Sequence, residues 1–131
     1  MNHSAKAYSG LICLISAMAT TALAQQPPDT VKSDSMANTA MGSNALLHVN
    51  LSESACHNTA SGEEALYSDT SGSYNTATGY SSLFSNKTGD NNTAIGYESL
   101  YHNSTGSNNT ASGYEALFQS TTGFENTARP L

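Results

Sequence analysis

The chain has 131 residues, of which Asn, Ser, Thr and Gly make up 58 and Leu, Ile, Val and Phe only 19. So small an apolar share excludes a wide hydrophobic core, yet 11% charged residues and a net charge of −6 do not make a highly charged disordered tail. Four Lys and Arg, none clustered, with a pI near 4.9, exclude a nucleic-acid binder, because a phosphate backbone is bound by grouped cations.

Residues 1–24 read as a secretory signal peptide. Lys6 is the one cation before an apolar run from Leu11 to Ala24, which ends in the small-x-small triplet Ala22-Leu23-Ala24. Cleavage is predicted after Ala24. The run is too short for the ~20 residues that span a bilayer, and no second one follows, so the secreted chain is predicted to lack a transmembrane segment. Residues 25–37, with Pro27 and Pro28, read as a flexible linker. After cleavage Cys56 is the single cysteine, so no internal disulfide is expected.

Residues 38–131 are a repeat. Asn-Thr-Ala recurs at Asn38, Asn58, Asn75, Asn92, Asn109 and Asn126; the first step is 20 residues and the other four are 17. Columns of Ala (Ala60, Ala77, Ala94, Ala111) and Leu (Leu66, Leu83, Leu100, Leu117) keep the same phase. So do two columns of Gly: Gly62, Gly79, Gly96 and Gly113, and Gly72, Gly89, Gly106 and Gly123.

A unit this short, punctuated by two glycines, fits two short strands and two turns, with both glycines supplying positive φ. One strand is expected over Thr-Ala-x-Gly and the other over the Leu-aromatic segment. Strands then pair between units, not within one. The predicted fold is all-β: a parallel β-solenoid of about five to six 17-residue coils, stacked ~4.8 Å apart. The Asn, Ala and Leu columns are the structural ladders, with Asn58, Asn75, Asn92 and Asn109 joining coil to coil through their amides. Two aromatic columns, Tyr67, Phe84, Tyr101 and Phe118, and Tyr80, Tyr97 and Tyr114, are too many for so thin an interior. One of them is expected to be buried by another chain, as in a trimer. Helical repeats are excluded, because each run of helix formers is under two turns between glycines.

The unit Asn-Thr-Ala-x-Gly-Tyr-x-Ala-Leu-x-x-Asn-x-Thr-Gly resembles the head repeats of YadA-type trimeric autotransporter adhesins, and is similar to repeats in phage tail fibres. The resemblance spans residues 38–131 and is strongest at Asn92–Tyr97 and Asn109–Tyr114. It implies a left-handed parallel β-roll of three chains, secreted or held at a bacterial cell surface or outer membrane. It also implies cell adhesion, with a host matrix protein or glycan as partner.

Catalytic, cofactor and metal sites are not expected. His48 and His102 share a repeat position three coils apart, roughly 14 Å, too far to share a metal. Cys56 and His57 are adjacent and so should face opposite sides. Asp69 and Asp90 read as isolated, and Glu64, Glu98 and Glu115 as a solvated edge. The alternatives to adhesion are a structural fragment like a phage tail fibre and an ice-binding solenoid. The latter draws on the threonine column Thr39, Thr59, Thr76, Thr93, Thr110 and Thr127.

Overall fold

The computed structural model describes residues 32–34, 36–49 and 55–129. The signal peptide, its cleavage point and residues 25–31 and 35 of the linker lie outside the described residues. Among the described residues seven strands form one sheet in chain order: β1 (Lys32–Ser33), β2 (Thr39–Met41), β3 (Thr59–Ser61), β4 (Thr76–Thr78), β5 (Thr93–Ile95), β6 (Thr110–Ser112) and β7 (Thr127–Ala128). β2 to β7 are parallel, and the leading Thr and the Ala of each strand pair with the leading Thr and the Ala of the next coil. The chain is a parallel β-solenoid of about five turns, as its spacing predicts. β1 runs antiparallel to β2 and covers the first edge. Beside it Asp34 accepts from the Asn38 N–H and Nδ2, and Met36 is buried.

Each of β2 to β6 has Ala pointing inward between two outward side chains, the alternation of a strand half-buried on one face. The alanines meet the leucines of the opposite wall. Leu66, Leu83 and Leu100 are fully buried and form one cluster with Ala60, Ala77, Ala94 and Ala111. Burying each leucine is worth about 1.5–3 kcal/mol.

The second predicted strand is absent among the described residues; residues 63–68 and their equivalents are turns. Gly62 O accepts from Ala65 N, and Leu66 O accepts from Asp69 N three residues on. The reason is backbone handedness. Glu64 has φ +58° and Leu66 φ +51°, and the same two positions are left-handed in every coil, so the chain curls where a strand would extend. A left-handed leucine costs about 1–2 kcal/mol. The hydrogen bonds between coils continue through this wall and offset it: Leu66 N donates to Ser82 O at 3.0 Å, Leu83 N to Ser99 O at 3.0 Å, and Leu100 N to Ala116 O at 2.9 Å.

Both glycine columns pass too close to the next coil for a Cβ, but only the first also needs positive φ. Gly62 has φ +134°, a region open in practice only to glycine, so this column supplies positive φ as expected. Gly72, Gly89, Gly106 and Gly123 do not have it. They are required by crowding. A Cβ on Gly72 would lie 2.5 Å from both Gly89 O and Asp69 Oδ1, so the backbone passes directly against the next coil and an interior side chain.

Candidate functional site

Two amide ladders close the coil from inside and fix which side chains remain for the outer walls. In the first, Asn58, Asn75, Asn92 and Asn109 are fully buried. Each Oδ1 accepts from the backbone N–H of the next Asn, as at Asn75 N to Asn58 Oδ1, 2.9 Å, and Asn92 N to Asn75 Oδ1, 3.0 Å. Each Nδ2 donates across its own coil to the crowded glycine: Asn75 to Gly89 O at 2.7 Å, Asn92 to Gly106 O at 2.8 Å. The same side chain therefore closes its coil and ties it to the following one. This ladder was legible in the Asn-Thr-Ala spacing.

The second ladder was not. Asp69, Asn86 and Asn103 share a buried column. Asn86 Nδ2 donates to Asp69 Oδ1 at 3.1 Å, and Asn103 Nδ2 to Asn86 Oδ1 at 3.0 Å. The column ends at Ser120, whose side chain is too short to continue it, and Asn103 Oδ1 has no partner. Asp69 is thus not isolated, as expected from sequence, but a rung in an amide column. Burial pushes its carboxyl up to about 8; the hydrogen bonds from Gly72 N–H and Asn86 oppose the shift, and the charge of Asp90 adds to it. Asp90 is not isolated either: its Oδ1 accepts from Ser73 N at 2.8 Å. A repeat of identical positions would have exposed the column, but Asp69 breaks the identity.

The outer walls carry the remaining candidates. Tyr67, Phe84, Tyr101 and Phe118 are half-buried and stack nearly parallel, with ring centroids 4.9, 5.0 and 5.3 Å apart. Tyr80, Tyr97 and Tyr114 form a second stack at 5.2 Å and are exposed. Stacked rings present their edges to solvent, not their faces. A hydrogen bond to Glu98 is the main cause that holds the Tyr97 phenol above its ordinary range, and Glu115 does the same for Tyr114. Partial burial is the main cause for Tyr101.

His48 packs its ring edge against Tyr67, and His102 against Phe118 and Tyr101, so the two histidines serve separate contacts. Cys56 is buried and its thiol lies 3.8 Å from Ser73 Oγ. His57 is exposed and stacks on Tyr74, so the adjacent pair does face opposite sides. Glu64 accepts from Ser81 Oγ at 3.2 Å, and Ser81 separates it from Glu98. Among the described residues no group of three His, Cys, Asp or Glu could hold a metal, and no helix is long and apolar enough to cross a membrane.

No family model, curated protein or solved structure matches the chain. What the arrangement offers chemically is surface: two columns on each strand and two aromatic columns beyond them.

Proposed function

We propose that the chain is a non-enzymatic structural and adhesive module, secreted after cleavage at Ala24, that works as a homotrimer at a bacterial surface. The reading rests on one column of side chains. Leu47, Tyr67, Phe84, Tyr101 and Phe118 occupy the same position in five successive coils, so an apolar stripe runs unbroken along the rod. Leu47 is still 44% exposed, and the four rings are only half-buried. Phe84 and Phe118 have no polar atom to satisfy in water. A second and third copy would cover this stripe and complete a core too thin in one chain. The Tyr80, Tyr97 and Tyr114 column suits that role less. It covers three coils only, with Ser43 and Glu63 at its position in the first two, and its phenols are polar. It stays outside, with the threonine column, to meet a matrix protein or glycan. The repeat's resemblance to YadA-type adhesin heads, left-handed rolls of three chains, agrees with this arrangement.

Sedimentation equilibrium tests the assembly. The secreted chain is expected at three times its monomer mass, and Phe84→Asp, which puts a charge in the stripe, at the monomer mass. A wild-type chain that is folded and monomeric at micromolar concentration overturns the trimer.

A specific observation favours one other reading, ice binding. Thr and the residue two beyond it point outward together on a regular parallel sheet. The second column is Met41, Ser61, Thr78, Ile95 and Ser112, and its mixed chemistry weakens the case. A thermal hysteresis assay separates the two, because adhesion predicts none.

A further inference from the structure

The two aromatic stacks differ in one chemical respect. In the half-buried stack Phe84 stands between Tyr67 and Tyr101, so no two phenols are neighbours. In the exposed stack three phenols follow one another, with centroids 5.2 Å apart and planes within 11° and 7° of parallel. Tyr80 and Tyr97 are 42% and 43% exposed, and Tyr114 72%, so a bulky oxidant can reach all three. Two of the three also have a carboxylate beside them in the chain, Glu98 next to Tyr97 and Glu115 next to Tyr114, each near enough to raise its neighbour's phenol and to take its proton. A phenol that can hand its proton over as it loses an electron forms the neutral radical without passing through a high-energy cation.

We propose that the Tyr80–Tyr97–Tyr114 column is an oxidative cross-linking site, at which a haem peroxidase with hydrogen peroxide joins successive coils through a dityrosine bond. Each of two neighbouring phenols gives one electron to the oxidant and its hydroxyl proton to the adjacent carboxylate or to water. The two radicals pair through the ring carbons next to the hydroxyls, forming one carbon–carbon bond. The hydrogens on those carbons then move to the phenol oxygens as the rings regain aromaticity. In sum two tyrosines lose two electrons and two protons, and one hydrogen peroxide takes them up as two waters. Both neighbours are held by the solenoid before the oxidant arrives, so the reaction is intramolecular and needs no encounter between chains. Tyr97 can pair upward or downward, while Tyr80 and Tyr114 can pair only with Tyr97. The product is a covalent staple between coils 17 residues apart. It forms within one chain, whether or not the chain assembles.

The full secreted chain, treated with horseradish-type peroxidase and peroxide at low protein concentration, is expected to gain dityrosine fluorescence and to lose two hydrogens in mass. It should remain a single chain on a denaturing gel. Peptide mapping should place the bond at Tyr80–Tyr97 or Tyr97–Tyr114. Tyr97→Phe keeps the stack but removes the shared phenol, and should lose at least nine-tenths of the signal. The double variant Tyr80→Phe with Tyr114→Phe leaves Tyr97 without a phenol neighbour and should lose as much, while either single change should keep a substantial part. Circular dichroism confirms that each variant is folded. The proposal is overturned if the wild-type chain gives no dityrosine. It is also overturned if Tyr97→Phe retains the signal, or if the bond maps to Tyr67, Tyr74 or Tyr101.

Discussion

On one wall of the coil Thr76, Ala77 and Thr78 need only backbone hydrogen bonds and one buried methyl to hold the neighbouring coils. On the opposite side, from Leu83 to Asn92, the chain curls through left-handed residues and is held by buried side-chain amides. Both walls keep the same rise between coils. The strand wall spreads its energy over interchangeable backbone contacts, and its outward residues vary from Met41 to Ile95. The amide wall concentrates its energy in a few atoms that a substitution can remove outright.

The sharpest way to break that contrast is a pair of neighbouring substitutions. Asn92→Ala removes an amide that donates to Gly106 O and Asn75 Oδ1 and accepts from Asn109 N and Nδ2. It leaves buried groups unpaired and should cost about 3–5 kcal/mol. Thr93→Val, one residue on in the strand wall, should change stability by about 0.5 kcal/mol or less. Urea unfolding of both decides it; equal losses would mean the walls are not different in kind.

A smaller effect belongs to Asp69, and its sign follows from linkage. Folding raises its pKa from the ordinary 3.8 to about 8, so between those values the folded chain holds a proton that the unfolded chain has released. The carboxyl therefore opposes folding increasingly as pH rises from 3.8 to about 8, and by a constant amount above that. Asp69→Asn, which restores the residue type of the next two rungs, should stabilise the chain by roughly 2–4 kcal/mol near pH 8. It should have little effect near pH 4. Thermal melts across that range measure it, and a parallel shift at all pH values would contradict the buried-carboxyl account.

The smallest effect sharpens the same ladder. Ser120 stands where Asn103 and Asn86 stand one and two coils earlier, and Asn103 Oδ1 lacks a donor. Ser120→Asn should supply that donor and gain about 1 kcal/mol. The chemical denaturation midpoint reports it.

These cases also mark how far the sequence could be read. The Asn-Thr-Ala phase gave the coil length, the pairing of Thr with Thr and Ala with Ala, the inward Ala and Leu columns and the coil-to-coil Asn ladder, because a fixed period forces equivalent residues into register. It misplaced a strand over Leu66 and Tyr67, since a left-handed leucine runs against local preference and is stable only once both neighbouring coils are present. It assigned positive φ to Gly72, whose constraint is a contact with Gly89 and Asp69 that no local pattern reports. It read Asp69 as isolated, because an acid among amides looks like an interruption until its burial is known.

What the sequence alone determined is the axis: one repeat, one period, and one set of columns that must coincide when backbone hydrogen bonds link successive coils. What only the tertiary structure decided is the cross-section of each coil. Its shape depends on contacts between residues 14 to 17 positions apart, such as Asn75 with Gly89 and Asn103 with Asn86. Those contacts are strong enough to override the backbone preference of any single residue.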